Sequence, residues 1–185
     1  MTNWDELAHQ AAQTIAERTG VSRHDTAVVL GSGWGGAADA FEVTADIAYP
    51  DLPGFTASAV VGHSGSLRSC RVGDKNVLFF AGRTHYYEGR GVEAVVHGVR
   101  TAAAAGCQAI VLTNGCGGLN PEWAPGTPVI IDDHINLTGR TPLVGANFVD
   151  MTQTYSRRLR DIALSVDPDL DGGVYAQFPG PQYET

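Results

Sequence analysis

Charge is scarce in this chain, and basic charge scarcer still: 17% of its residues are charged, with 12 Lys and Arg against 20 Asp and Glu, for a formal net charge of -8. Binding to nucleic acid needs a local excess of Lys and Arg, so no nucleic-acid surface is expected and any anion must be held in a local pocket. Cysteine is equally sparse. Cys70, Cys107 and Cys116 make an odd number with no C-x-x-C pair, which fits reduced thiols and offers no zinc framework. Cys116 lies in a glycine-rich turn where a nucleophile would have room, although burial as a small apolar group is the expected fate of such a thiol. No apolar run approaches the roughly 20 residues of a membrane span. Repeats and low-complexity linkers are missing as well. The opening Met1-Thr-Asn-Trp-Asp-Glu-Leu7 carries acids where a secretory signal carries basic residues, so the expected setting is the cytoplasm, with no membrane partner.

What is present is glycine, 23 residues of it, in a chain of 185 that is 43% hydrophobic. That length is close to one domain and long enough to bury a core, so residues 1–185 are read as a single domain. Trp4, Leu7, Ala8, Ala11 and Ile15 recur at helical spacing before the stop signal Gly20. Short apolar runs at Thr26–Leu30, Asn76–Ala81, Gln108–Thr113, Pro128–Ile131 and Val174–Phe178 predict buried strands. Helices are predicted over Val92–Ala105, closed by Gly106, and over Thr152–Ser165. Strands alternating with helices imply an α/β fold whose sheet is covered on both faces. Pro50–Ser58 is dense in turn residues and matches neither pattern.

The chemistry lies at the strand exits. Leu30 leads into Gly31-Ser-Gly33, Phe80 into Gly82-Arg-Thr-His-Tyr-Tyr-Glu-Gly89, and Leu112 into Thr113-Asn-Gly-Cys-Gly-Gly-Leu-Asn120. Ile131 leads into Asp132-Asp-His-Ile-Asn-Leu-Thr-Gly139, and Phe178 into Pro179-Gly-Pro-Gln-Tyr-Glu-Thr185. Open α/β sheets bind ligands outside the carboxyl ends of their strands, so these five exits are expected to converge on one site.

Gly31-Ser-Gly-Trp-Gly-Gly36 also fits G-x-G-x-x-G, the fingerprint of a dinucleotide turn. That fingerprint needs an acid about 20 residues on, at the end of a second strand. The nearest, Asp51, lies between Pro50 and Pro53, which oppose a central strand. The favoured alternative is that backbone N–H groups and the Ser32 hydroxyl wrap a free phosphate. Arg83 can present a planar fork of donors to the same oxyanion, with His85 two residues on and Glu88 placed to orient an imidazole. An isolated Arg–Glu pair beside a histidine is an ordinary surface arrangement. Confined to a glycine-bounded strand exit, it reads as a cationic pocket. Gly62-His63-Ser-Gly65 supplies a further imidazole, which by itself is a solvated loop residue.

Taken in order, Gly31-Ser-Gly33, Gly62-His63, Gly82-Arg-x-His-x-Tyr-Glu-Gly89, Thr113-Asn-x-x-Gly-Gly-Leu-Asn120, Asp133-His-Ile-Asn-Leu137 and Gly180-Pro-x-Tyr-Glu-Thr185 resemble the trimeric purine nucleoside phosphorylases along nearly the whole chain. The resemblance implies a three-layer, phosphorylase/hydrolase-like α/β fold: a mixed, largely parallel and partly barrel-like β-sheet flanked by helices. It implies phosphorolysis of purine ribo- and deoxyribonucleosides to free base and pentose 1-phosphate, as in purine salvage, by a homotrimer. No metal or organic cofactor is implied; inorganic phosphate is a co-substrate.

Residue by residue, the resemblance gives Ser32, His63, Arg83, His85 and the backbone at Gly115 to the phosphate. His85, Glu88, Asn114 and Glu184 become the catalytic set, with Glu88 supporting the histidine and Asn114 near the centre of the pocket. Tyr87 would touch the sugar, Tyr175 and Tyr183 would line the nucleoside, and Phe148 would reach the sugar pocket of a neighbouring subunit. Glu184 would accept from the N–H groups of a 6-oxopurine, so inosine and guanosine are expected to be preferred over adenosine. Family members continue beyond the position of Thr185 with an asparagine, a serine and a histidine that complete the base, phosphate and sugar contacts, so the domain is expected to be incomplete at its carboxyl end. The alternatives are a methylthioadenosine phosphorylase of the same superfamily and an inactive nucleoside- or phosphate-binding remnant.

Overall fold

A computed structural model describes residues 3–56 and 65–181. The chain divides into two compact units, Met1–Cys116 and Gly117–Thr185.

The first unit opens with α1, Trp4–Thr19. Asn3 caps it by accepting from the Glu6 N–H, Asp5 and Glu6 face the positive end of its dipole, and Gly20 ends it in the left-handed region at φ 71°. Its inward stripe is Ala8, Ala11 and Ile15, as the spacing predicts. Five strands then form one sheet: β1 Thr26–Leu30, β2 Glu42–Ala48, β3 Ser66–Val72, β4 Lys75–Ala81 and β5 Ala109–Leu112. Their spatial order is β2-β3-β4-β1-β5. β1 runs parallel to both β4 and β5, and β3 runs antiparallel to β2 and β4, so the sheet is mixed. Alternation along the strands builds two apolar layers. Ala27, Val29, Leu67, Leu78 and Phe80 face α1 and α2 (Val92–Ala104) through Ile15, Ala102 and Ala105. Val28, Leu30, Cys70, Val77 and Phe79 face the short 3-10 turn Gly35–Ala40 through Ala37 and Ala38.

β2 and β3 escape the reading of apolar runs because their sheet positions are partly polar. Arg68 and Ser69 both have partners. Arg68 is held by Asp39 at 2.7 Å and Asp46 at 3.0 Å, and the buried Ser69 meets Thr44 at 3.1 Å and His24 at 3.0 Å. The helix that a dinucleotide turn requires after Gly36 is replaced by the 3-10 turn, which removes that reading.

Pro50–Ser58 becomes intelligible as far as Thr56. After a 3-10 turn at Tyr49–Asp51, Leu52 to Thr56 form a strap over α2, where His97 Nε2 donates to the Pro53 carbonyl at 2.8 Å. The Phe55 ring packs 4.7 Å from His97 and 5.1 Å from Tyr49. Gly54 needs to be glycine twice over: its φ is 78°, and a Cβ there would meet His97 Nε2 at 2.5 Å.

The second unit pairs β6, Val129–Asn136, in parallel with β7, Asp171–Gln177. Both boundaries differ from the sequence expectation. β6 runs on through Asp132–Asn136, expected as a loop, because a register shift between Ile131 and Asp133 absorbs Asp132, whose carboxylate pairs with Arg160. β7 starts three residues early and leaves Phe178 outside, exposed. α3 begins at Arg157, behind the N-cap Ser156, and ends at Val166. No helix among the described residues is long and apolar enough to cross a membrane.

His24 and His97, each 1% exposed, set a pH limit on the fold. Burial lowers both below the ordinary value of 6.5, against an opposing pull from Asp25 on His24, and from the Pro53 hydrogen bond on His97. The unfolded chain therefore binds more protons than the native one below pH 6.5, and stability falls as pH drops through that value toward the depressed native values. Denaturant unfolding at a series of pH values should show this loss, and His97→Gln should flatten it. An unchanged slope in the variant would remove His97 from the explanation.

Candidate functional site

Because β1, β4 and β5 are parallel neighbours, their carboxyl ends emerge side by side. Two side chains fasten these exits. The Gly31 N–H donates to Thr113 Oγ1 at 2.8 Å, and that hydroxyl donates to the Val29 carbonyl at 2.9 Å, which locks the end of β5 to the end of β1. From the 3-10 turn that precedes the strap, the buried Tyr49 hydroxyl donates to the Gly82 carbonyl at 2.6 Å and sets the exit of β4. Burial pushes the Tyr49 phenol well above its ordinary value, so it remains a donor. Neither Thr113 nor Tyr49 is assigned a role by the sequence. Thr113 lies inside a recognised motif, whereas Tyr49 has no local signal because its partner is far along the chain.

Gly31 is where the exits meet. A Cβ built there would lie 2.4 Å from the Thr113 carbonyl oxygen, 2.7 Å from Asn114 Cα and 2.9 Å from Arg83 Nη1. One glycine thus touches the loop after β4 and the loop after β5. Ser32 follows on the exposed side, and a Cβ on Gly115 would come within 3.8 Å of it. Ser32, Arg83, Asn114 and Gly115 therefore share one neighbourhood. Arg83 Nη1 is buried there, and Asn114 Oδ1 is buried with no hydrogen-bond partner among the described residues.

His85 and Glu88 form a local unit in the same β4 loop. Glu88 Oε1 accepts from the His85 N–H at 2.6 Å and lies 3.3 Å from its Nδ1, a reciprocal capping box around the short 3-10 turn Tyr86–Glu88. The Tyr87 ring stacks on the imidazole with centroids 4.9 Å apart. With Nδ1 facing a carboxylate, the orientation of the imidazole is fixed.

The remaining expected residues belong to the second unit or lie outside the described residues. His63, Tyr183 and Glu184 lie outside the described residues. Tyr175 is half-buried in β7, in register with His134, whose Nδ1 meets Tyr155 Oη at 3.2 Å. Phe148 is 93% exposed in the second unit. Of the five expected exits, those after β1, β4 and β5 are brought together. All three cysteines are thiols rather than disulfides, and Cys116, on the loop just past Gly115, is exposed, contrary to the expected burial.

The model of the phosphorylase superfamily matches residues 25–185. The purine nucleoside phosphorylase of Cellulomonas sp is 58% identical over 185 residues, covering 97% of this chain and 66% of that protein. That of Mycobacterium tuberculosis is 54% identical over 182 residues, covering 98% and 68%. Among solved structures, isoform 2 of the purine nucleoside phosphorylase from Schistosoma mansoni, in complex with cytosine and ribose-1-phosphate, superposes with a TM-score of 0.85 at 31% identity, covering 97% of this chain and 68% of that one. The chain thus spans about two thirds of the length of these relatives.

The packing at Gly31 makes a direct demand on stability. Gly31→Ala should destabilise the protein by about 1–3 kcal/mol, because a methyl group is forced against backbone and guanidinium. Gly35→Ala, where nothing lies within 4 Å, should stay within about 0.5 kcal/mol of wild type. Equal unfolding midpoints for the two variants would contradict the close approach.

Proposed function

The chain belongs to the phosphorylase superfamily, on its purine nucleoside phosphorylase branch, and from that premise we propose that it catalyses phosphorolysis of purine ribo- and deoxyribonucleosides to free base and pentose 1-phosphate. The observation that supports this reading is the meeting of three strand exits at Gly31, which gathers Ser32, Arg83 and the Asn114-Gly115 backbone, with the His85–Glu88 unit further along the Arg83 loop.

Breaking the C1'–N9 bond builds positive charge on the sugar, as in glycoside hydrolysis. A phosphate held beneath the ring by Ser32, His63, Arg83, His85 and the Gly115 N–H offsets that charge, and one of its oxygens forms the new bond to C1'. The bonding electrons leave with the purine, which takes up a proton. The protein's work is to position the phosphate and to stabilise the departing base. Asn114 Oδ1, buried with no hydrogen-bond partner among the described residues, supports a contact with a ligand hydroxyl, since a buried acceptor without a donor is costly. Tyr87, Tyr175 and Tyr183 line the nucleoside in this proposal, and Phe148 serves the pocket of a neighbouring subunit in a homotrimer. The reaction needs no metal or organic cofactor, and the enzyme works in the cytoplasm, in purine salvage.

Glu184 sets base preference. An ionised carboxylate pairs with the N–H groups of a 6-oxopurine but faces an acceptor at N1 of adenine, and a buried charge left unpaired rejects the wrong ligand strongly. Phosphate-dependent cleavage should therefore be much faster for inosine and guanosine than for adenosine, as followed by release of free base. Arg83→Ala should lower kcat by about 10²–10³-fold. Cleavage of adenosine or methylthioadenosine at the rate of inosine would point to the other branch of the superfamily, and phosphate binding without turnover would point to a binding remnant.

A further inference from the structure

Arg90 takes no direct part in phosphorolysis, yet its side chain connects two elements that matter to it. Its Nε lies 3.4 Å from Glu88 Oε2, and its Nη1 donates to Thr56 Oγ1 on the strap. The Glu88 side chain is only 8% exposed, and its other oxygen is already committed to His85. A desolvated carboxylate requires a cation or several donors around it, and Arg90, 35% exposed, supplies the cation on the free side. We propose that Arg90 is a positioning residue for the phosphate-binding histidine: it fixes Glu88 Oε2 against the strap, and so holds Oε1 on His85. The proposal rests on the reading of His85 as a phosphate ligand.

The backbone around Arg90 makes such a clamp necessary. Gly89 and Gly91 flank it at φ 75° and 82°, and two adjoining glycines leave the segment between Glu88 and α2 little intrinsic preference for one path. The strap, by contrast, is a firm reference. It is pinned through the Pro53 carbonyl to His97, through the Phe55 ring to Tyr49 and Phe80, and by the tight fit of Gly54 on the imidazole. Arg90 transfers that rigidity across to Glu88. A lysine could supply the charge, but it would not span both Oε2 and Thr56 with a planar fork.

The test compares wild type, Arg90→Ala and Arg90→Lys, with inorganic phosphate as the probe. Phosphate affinity is measured by calorimetry in the absence of nucleoside, and the KM values for phosphate and for inosine are measured separately. Loss of Arg90 should weaken phosphate, in both Kd and KM, by about tenfold, the size of one lost charge-assisted hydrogen bond. The KM for inosine should change by less than about twofold, since uniform binding of the nucleoside is untouched. Arg90→Lys should recover part of the loss, and guanidinium ion added to Arg90→Ala should recover part of it as well. Phosphate constants equal to wild type in Arg90→Ala would overturn the proposal. So would a parallel loss for phosphate and inosine that guanidinium leaves unchanged, because that is the mark of a general structural defect. If wild type itself binds no phosphate, the underlying reading of His85 fails and the role of Arg90 fails with it.

Discussion

The site depends on an absence of atoms at Gly31. Three strand exits can converge only if nothing projects between them, and the Gly31 position leaves no space for even one carbon between the Thr113 carbonyl, Asn114 and the Arg83 guanidinium. The parallel pairing of β1 with β4 and β5 brings the exits near; the glycine lets them touch. Thr113 then commits its hydroxyl to fastening β1 to β5, accepting from Gly31 and donating to Val29. A valine of the same shape could do neither. The polar loops can therefore be rich in glycine and still hold their positions, since their roots are fixed by hydrogen bonds on both sides.

A second constraint is that the walls of this unit contain polar groups, and their partners come from distant parts of the chain. Ser69 is satisfied by Thr44 and His24, the Gly82 carbonyl by Tyr49, and the Pro53 carbonyl by His97. Each link joins elements well separated in sequence, so the geometry of the exits is reached only when the whole unit is assembled. An apolar wall of the same volume would bury area as well, but it would not specify which carbonyl faces which loop.

How much of this architecture is legible in the sequence depends on the range of each interaction. α1, β1, β4, α2 and β5 announce themselves because their signals are local: apolar spacing, with Gly20 and Gly106 as stops. β2 and β3 do not, since Arg68 and Ser69 look like surface residues until Asp39, Asp46, Thr44 and His24 are placed around them. The strap is illegible for the same reason: its prolines and Gly54 signal a turn, and nothing nearby signals that His97 will hold it. Candidate site residues carry a more local signal than the elements that position them. Arg83, His85, Glu88 and Asn114 stand directly after strands, where open α/β sheets place ligands, whereas Tyr49 and Arg90 act through partners some 30 residues away, Gly82 and Thr56. Boundaries in the second unit depart from the apolar pattern where a side chain decides them: Asp132 accommodates a register shift by pairing with Arg160, and Ser156 starts α3 late.

For a protein of net charge -8 to hold a phosphate, as proposed, it has to reverse its own field locally, and the β4 loop offers a way to do so with few cations. A carboxylate beside an anion site looks counterproductive. Glu88, however, directs its charge at His85, and a carboxylate on Nδ1 fixes the orientation of the ring. Its second oxygen would still add negative potential to the pocket if left bare, and it is the oxygen that Arg90 meets. The charge of Glu88 is thus divided between an imidazole in front and a guanidinium behind. In the proposed site the oxyanion is then left to Arg83 and backbone N–H groups, donors that would add little mobile charge to an otherwise acidic surface.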